Sequence, residues 1–116
     1  MIMIREAGIR AFAAAHRDGD VVVDVREPFE YAAGHVPGAT LMPMAAVRAR
    51  LRELPRSRPV YVICASGNRS LIAASWMAAA GIEAWSVADG TSAWAAAGGP
   101  LVIHAARSGQ ESGARR

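Results

Sequence analysis

Two short apolar runs, at residues 21–23 and 60–63, constrain the fold of this chain more than any other feature. Both are rich in β-branched residues and lack charged residues, as is typical of strands covered on both faces of a parallel sheet. Longer segments with helical spacing separate and flank them. Strands that alternate with helices predict an α/β fold, with a small, mostly parallel central sheet flanked by helices on both faces.

The same periodicities give the order of the elements along the chain. Predicted strands occupy residues 2–4, 21–23, 40–41, 60–63 and 84–87. Predicted helices occupy residues 7–16, 27–32, 44–54, 70–80 and 91–97. The fourth helix is apolar on nearly every side, so we expect it to be buried. One domain is expected to span residues 1–104, with a disordered polar tail at residues 105–116.

The composition is that of a single globular domain, with 116 residues of which 53% are hydrophobic and 20% charged. No apolar run of about 18 residues could cross a bilayer, and Arg5, Glu6 and Arg10 interrupt the only stretch resembling a signal peptide. The single cysteine, Cys64, rules out an internal disulfide and suits a reducing compartment. We therefore expect a cytoplasmic monomer with no membrane partner.

Arginine is the one feature of the composition that suggests a partner. Five arginines lie between residues 48 and 58, opposed only by Glu53. This segment is interpreted either as the solvated face of a helix or as a dock for an acidic protein or for RNA. Because the net charge of the chain is only +3, the sequence as a whole does not indicate nucleic-acid binding.

The segment from Val60 to Ser70 places a cysteine between a buried strand and a helix. Ligands of open α/β sheets bind beyond the carboxyl ends of strands, which is where Cys64 lies. The N–H groups of the following loop can curl into an anion-binding nest, for which Gly67 supplies a positive φ. Together with the helix N-terminus and Arg69, this nest would favour the nucleophilic thiolate. A free cysteine is also commonly a small buried apolar residue, so the local sequence leaves both interpretations open.

Four separated motifs decide between these interpretations. They are Val22-Val23-Asp24-Val25-Arg26-Glu27 with Phe29-Glu30-Tyr31, then Gly34-His35-Val36-Pro37-Gly38-Ala39, then Cys64-Ala65-Ser66-Gly67-Asn68-Arg69-Ser70, and finally Asp89-Gly90-Thr91-Ser92-Ala93-Trp94. In this order they resemble the signatures of the rhodanese family, over nearly the whole chain. Four ordered motifs are far more specific than any one of them.

The resemblance implies a single-domain sulfurtransferase with Cys64 as the catalytic nucleophile. The cysteine would take a sulfane sulfur from a small donor, thiosulfate or a persulfide, and pass it to a thiol, cyanide or protein acceptor. The loop that would bind the persulfide comprises Ala65, Ser66, Gly67, Asn68, Arg69 and Ser70. This chemistry needs no metal and no organic cofactor, and the three histidines are too scattered in sequence to suggest a metal site.

Loop length separates two activities within the family. The loop from Cys64 through Arg69 has six residues, as in the sulfurtransferases. Related phosphatases and arsenate reductases have a loop one residue longer, which opens a wider ring for a phosphoryl group. The resemblance therefore favours sulfur over phosphate. A rhodanese-fold binding or sulfur-carrier module without turnover is the alternative.

Four further residues are expected to support the site: Asp24, Arg26, Glu30 and His35. We expect Asp24 to pin the loop, and Arg26 to form an ion pair with Glu30 four residues away. His35 lies in a turn and is expected to be structural rather than a general base.

Two residues of the loop keep alternative roles. Arg69 either binds an anionic donor or braces the loop by pairing with Asp24 or Glu30, and the two roles can alternate. Ser70 either donates a hydrogen bond to the sulfur or merely caps the helix.

The sequence departs from the family pattern at two places. Asp89 stands where the family usually has glycine, so it either adds negative charge near the site or faces away. Ala65 and Ser66 are neutral where members that use thiosulfate well often carry basic residues. Thiosulfate is therefore expected to be a poor donor, which leaves open a persulfide on a partner protein or on a small thiol.

Overall fold

The structure, a computed structural model, describes residues 4–104. The tail predicted at residues 105–116 lies outside the described residues. So do the first two residues of the strand predicted at residues 2–4.

Five strands form one parallel sheet. In chain order they are β1 (Arg5–Ala7), β2 (Val21–Asp24), β3 (Thr40–Leu41), β4 (Val60–Ile63) and β5 (Ala84–Val87). Their order across the sheet is β1-β5-β4-β2-β3, and every neighbouring pair is parallel. The prediction of a small parallel sheet is confirmed.

Helices cover both faces of this sheet, as predicted. They are α1 (Ile9–Arg17), α2 (Pro28–Ala33), α3 (Met44–Val47), the 3₁₀ helix Arg48–Glu53, α4 (Asn68–Ala79) and α5 (Gly90–Ala96). One apolar cluster joins Val23 and Val62 to Met77 of α4. The other joins Val22 to Phe12 of α1 and Trp94 of α5. Alternate residues of β2 therefore serve opposite cores, as the pleat of a strand requires.

Three of the predicted elements need correction. The first strand is Arg5–Ala7 rather than residues 2–4, because its register is set by pairing with β5, opposite Trp85. The helix predicted at residues 44–54 is a single α-helical turn followed by a 3₁₀ helix. Helix α4 is not buried on all sides, since the side chain of Ile72 is 50% exposed.

Parallel pairing brings the ends of β2 and β4 together. Asp24 and Ile63 are register partners, and the Val25 N–H donates to the Ile63 carbonyl over 3.0 Å. Cys64 therefore leaves the sheet at the same end as Arg26. The strand register thus brings together the ends of two segments that carry separate motifs.

Candidate active site

Cys64 lies at the point where β4 ends and the loop to α4 begins, and its side chain is only 1% exposed. The Gly67 N–H donates to its Sγ over 3.1 Å, and the Ser70 N–H does so over 3.3 Å. The same side chain also packs in the core cluster of Val62. Cys64 therefore has features of both interpretations of the sequence. Its side chain is buried like an apolar residue, and N–H groups point at its sulfur as in an anion-binding nest.

The loop favours the ionised form of the sulfur. Burial raises the pKa of the Cys64 thiol. Hydrogen bonds from Ser70, through hydroxyl and amide, and from the amides of Gly67 and Ser66 lower that pKa by more. The net result is a thiol pKa below its usual value, and the thiolate is the nucleophilic form.

Two serine hydroxyls support the sulfur from within the core. Ser70 Oγ lies 3.4 Å from Cys64 Sγ and 2.7 Å from Ser86 Oγ, and both serines are fully buried. The Ser70 hydroxyl also lies 3.1 Å from the Gly67 carbonyl, to which it donates. A hydroxyl has one proton to give, so at any moment Ser70 donates to one of three acceptors: that carbonyl, the thiolate or Ser86 Oγ. Ser70 is therefore more than a helix cap, because its hydroxyl contacts the sulfur of Cys64.

The start of α5 holds the loop from the other side. The Thr91 N–H and hydroxyl both donate to the Cys64 carbonyl, over 2.8 and 3.0 Å, and the Ser92 N–H donates to the Ala65 carbonyl over 3.1 Å. A Cβ on Gly90 would lie 2.3 Å from the Cys64 carbonyl oxygen. Only glycine permits this approach.

Asp89 precedes this contact in a left-handed conformation, with φ of 59°. A left-handed backbone explains why glycine suits this position, and aspartate is among the few other residues that tolerate it. Its side chain is exposed and makes no hydrogen bond or ion pair within residues 4–104. The outward orientation is therefore the one of the two expected alternatives that the structure supports.

Asp24 and Arg26 form a buried ion pair. The Arg26 Nη2 to Asp24 Oδ2 distance is 2.8 Å, and their side chains are 7% and 0% exposed. A second bond runs from Arg26 Nη2 to the Gly34 carbonyl over 2.8 Å. Asp24 therefore holds Arg26, which braces the turn at Gly34, and the Asp24 carboxylate makes no hydrogen bond to the Cys64 loop, contrary to our expectation.

The predicted pairing of Arg26 with Glu30 is wrong, because Glu30 forms its ion pair with Arg69. Arg69 donates to both carboxylate oxygens, over 2.8 and 2.9 Å. The Arg69 hydrogen bonds hold the pKa of Glu30 at about 2, well below its usual value. This pair ties α2 to the first turn of α4, so the bracing role of Arg69 is the one that the structure displays.

The remaining predicted residues occupy the rim of the site or its surroundings. Ala65 is half-buried, and Ser66 and Asn68 are exposed. His35 Nδ1 lies 2.8 Å from the Tyr31 carbonyl, and its ring stacks on the Tyr31 ring at 3.6 Å between centroids. These contacts fit the structural role expected of His35.

Sequence reasoning assigned no role in the site to three residues that the structure places there: Gly90, Thr91 and Ser86. Gly90 and Thr91 stand in the fourth motif, and the signal of Ser86 was a polar residue inside the apolar strand β5. Within residues 4–104 no three histidine, cysteine, aspartate or glutamate side chains cluster as metal ligands would. No helix in that range is long and apolar enough to cross a membrane.

The chain resembles known proteins in sequence. The family model of the rhodanese-like domain matches residues 10–97. A thiosulfate sulfurtransferase GlpE of Pseudomonas entomophila is 39% identical over 70 residues, which cover 60% of this chain and 64% of that protein. A putative sulfur carrier protein YrkF of Bacillus subtilis is 40% identical over 62 residues, covering 53% of this chain and 34% of that protein. The chain thus matches less than two thirds of the length of these relatives.

The fold also has solved counterparts. The crystal structure of a rhodanese-related protein from Thermoplasma volcanium superposes with a TM-score of 0.80 at 30% identity. That similarity covers 85% of this chain and 98% of the other. A rhodanese-like domain protein from Staphylococcus aureus gives a TM-score of 0.77 at 29% identity, over 86% of this chain and 98% of the other.

Proposed function

Since the chain belongs to the rhodanese-like domain family, we propose that it is a sulfurtransferase that carries a sulfane sulfur on Cys64. The observation that supports this most is the pair of N–H groups, from Gly67 and Ser70, aimed at a buried Sγ. Such groups stabilise a negative charge on sulfur whether it belongs to the thiolate or to a persulfide.

In the first half-reaction the Cys64 thiolate attacks the outer sulfur of the donor. With thiosulfate, a new S–S bond forms to Sγ, the S–S bond of the donor breaks, and sulfite leaves with the electron pair. The enzyme then carries Cys–S–S⁻, one negative charge as before. The loop amides keep that charge stable without a counter-ion.

In the second half-reaction an acceptor nucleophile attacks the outer sulfur of the persulfide. Cyanide leaves as thiocyanate, and a thiolate leaves as a new persulfide, while Sγ recovers the electron pair. The enzyme itself undergoes no net oxidation over the cycle, since the S–S bond formed at Sγ in the first half-reaction breaks in the second. Cyanide then forms a C–S bond to the transferred sulfur, whereas a thiolate forms a new S–S bond to it. The enzyme is left as the Cys64 thiolate, ready for another donor.

Burial of the nucleophile favours sulfur over phosphate. A reacting atom must come within about 3–3.5 Å of Sγ, and Cys64 is 1% exposed. A terminal sulfane sulfur is a single atom, whereas a phosphoryl group brings three oxygens with it. The narrow approach therefore supports sulfur transfer and disfavours a phosphatase or arsenate reductase.

The donor is proposed to be a persulfide in preference to thiosulfate. Ala65 and Ser66 bring no positive charge to the rim, and Arg69 is already paired with Glu30. A dianion such as thiosulfate can use Arg69 only in exchange for Glu30, so it gains less from this rim than from one with basic residues at positions 65 and 66. The name of the GlpE relatives supports a sulfane-sulfur donor in general, and the acceptor is proposed to be a thiol of a small molecule or protein.

A sulfur-carrier module is the second candidate. The YrkF relative is named a putative sulfur carrier protein, and a nearly inaccessible Sγ suits storage of sulfur better than rapid turnover. We place either activity in a monomer of the cytoplasm, where a single cysteine stays reduced.

Steady-state kinetics tests the proposal. Thiocyanate release from thiosulfate or glutathione persulfide with cyanide is expected to show ping-pong behaviour and to vanish in Cys64→Ser. A sulfur carrier would load one sulfur per chain without steady turnover. Hydrolysis of an aryl phosphate that disappears in Cys64→Ser would overturn the proposal in favour of a phosphatase.

A further inference from the structure

A groove lies along the β2–β3 edge of the sheet, and it extends to the amino end of β2. It encloses about 610 Å³ beside Val21, the first residue of β2. Val21, Leu54 and Pro55 give it an apolar lining, which we call its floor, and the charged residues that line it are Arg52, Arg58 and Glu53. We call this feature the arginine groove. Its volume lies within the range of ordinary ligand pockets, roughly 300–1,000 Å³.

The groove is separate from the sulfur site. None of the residues of the Cys64 loop lines it. Arg58 precedes the first residue of β4, whereas Cys64 follows the last residue. In a parallel sheet these two points lie at opposite ends, so a molecule in the arginine groove leaves the approach to the sulfur open.

The only acidic residue of the segment 48–58 is already neutralised. Arg50 pairs with Glu53, with an Nη2 to Oε1 distance of 2.9 Å, and also donates to the Leu41 carbonyl over 3.2 Å. Glu53 therefore does not offset the charge of the other four arginines in this segment.

Two of those four arginines have partners elsewhere. The guanidinium of Arg48 lies 4.2 Å from the centroid of the Trp76 ring, a cation–π contact. Arg56 donates to the Ala80 carbonyl, at the end of α4. Both remain positively charged while their side chains are held in place.

Arg52 and Arg58 are different. Both are exposed, and within residues 4–104 neither makes a side-chain hydrogen bond, an ion pair or a cation–π contact. Two uncommitted guanidinium groups thus line the same partly apolar groove. A ligand that satisfies this arrangement carries anionic groups together with an apolar body.

We propose that the arginine groove binds an acidic segment of a partner protein, with carboxylates on Arg52 and Arg58 and an apolar side chain on the floor. The planar fork of each guanidinium matches a carboxylate in two-point geometry. The positive charge extends past the groove to Arg48 and Arg56, so it complements an extended partner better than one small anion.

RNA fits these observations less well. Single-stranded nucleic acid gains much of its affinity by stacking bases on aromatic rings. The indole of Trp76, on which a base could stack, is already covered by Arg48. An apolar floor beside two arginines offers nothing to a phosphate backbone, whereas it suits a leucine between two glutamates.

Fluorescence anisotropy with the full chain tests the proposal. The probe is a short labelled peptide of alternating glutamate and leucine, with two matched peptides in which glutamine replaces glutamate or serine replaces leucine. The glutamate–leucine peptide is expected to bind most tightly. Arg52→Gln with Arg58→Gln should weaken its binding about tenfold, which corresponds to about 1.4 kcal/mol for the two exposed charged contacts together.

The matched control is Arg10→Gln with Arg17→Gln, which removes the same charge from α1. This double variant should change affinity less than about twofold. Thr40→Tyr, at an exposed position in the groove wall, should block binding without any change of charge. None of these variants should alter sulfur transfer by Cys64.

Three results would overturn the proposal. If the two double variants lost affinity for the peptide equally, binding would depend only on the net charge of the protein and not on the groove. If the peptide with serine in place of leucine bound as tightly as the glutamate–leucine peptide, the apolar floor would not contribute to binding. Tighter binding of an oligouridylate than of the acidic peptide would assign the surface to RNA.

Discussion

Two arginine–carboxylate pairs stand at the sulfur end of the sheet, and they differ in burial. In Asp24–Arg26 the side chains are 0% and 7% exposed. In Glu30–Arg69 they are 21% and 37% exposed. Water can replace either partner of the second pair at small cost, but it cannot reach the first. The buried pair therefore fixes the framework, and the half-exposed pair is free to exchange Glu30 for an anionic donor.

The largest effect is expected from breaking the buried pair. Arg26→Gln leaves the Asp24 carboxylate buried without a partner and frees the Gly34 carbonyl, so the free energy of unfolding should fall by about 3–5 kcal/mol. Urea unfolding measures it. The matched control is Arg69→Gln, which should lose less than about 1 kcal/mol. Similar losses in the two variants would contradict the contrast.

The second effect concerns activity. Arg69→Gln should raise KM for thiosulfate about tenfold with little change in kcat, because a charged hydrogen bond to the donor is lost. Arg69→Lys keeps the charge and should recover part of this loss. A fall in kcat with unchanged KM would show instead that Arg69 acts only as a brace of the loop.

The third effect sharpens the donor assignment. Ser66→Arg adds positive charge at the exposed rim and should raise kcat/KM for thiosulfate about fivefold, which corresponds to about 1 kcal/mol. Ser57→Arg adds the same charge at the other end of the sheet and should leave the rate unchanged. If both variants accelerate the reaction equally, the effect belongs to long-range attraction rather than to the rim.

The smallest effect is a pH dependence of stability. The pKa of Glu30 is lowered from 4.5 to about 2, so its contribution is present above pH 4.5 and is lost as the pH falls towards 2. Wild type should exceed Glu30→Gln in stability by less than about 1 kcal/mol at neutral pH. This difference in the free energy of unfolding should disappear as the pH is lowered towards 2. A difference that grows at low pH would contradict the assigned pairing.

Sequence patterns predicted the elements that are buried on both faces. The central strands Val60–Ile63 and Ala84–Val87 are found at their predicted bounds. So is the short strand Thr40–Leu41, although it lies at the edge of the sheet and is not buried. An apolar run between turn residues leaves few alternatives to a buried strand. The edge strand Arg5–Ala7 was predicted too early in the chain. One of its sides faces solvent, so it contains polar residues that do not match the apolar pattern of a buried strand.

The candidate site was predictable in its residues but not in its contacts. The order of motifs identified the Cys64 loop, yet Arg26 was assigned to Glu30 from a spacing of four residues. The partner of Glu30, Arg69, lies 39 residues away. The sequence offered this pair only as one alternative beside Asp24, because no local spacing decides between such distant partners. Ser86 was missed for the same reason, since only the register of β5 against β4 brings it to Ser70.

Intact-mass spectrometry after exposure to thiosulfate or glutathione persulfide tests the central claim most directly. The account predicts a stable gain of one sulfur atom on wild type, reversed by cyanide and absent in Cys64→Ser. No adduct with any donor, or the same adduct on Cys64→Ser, would contradict it.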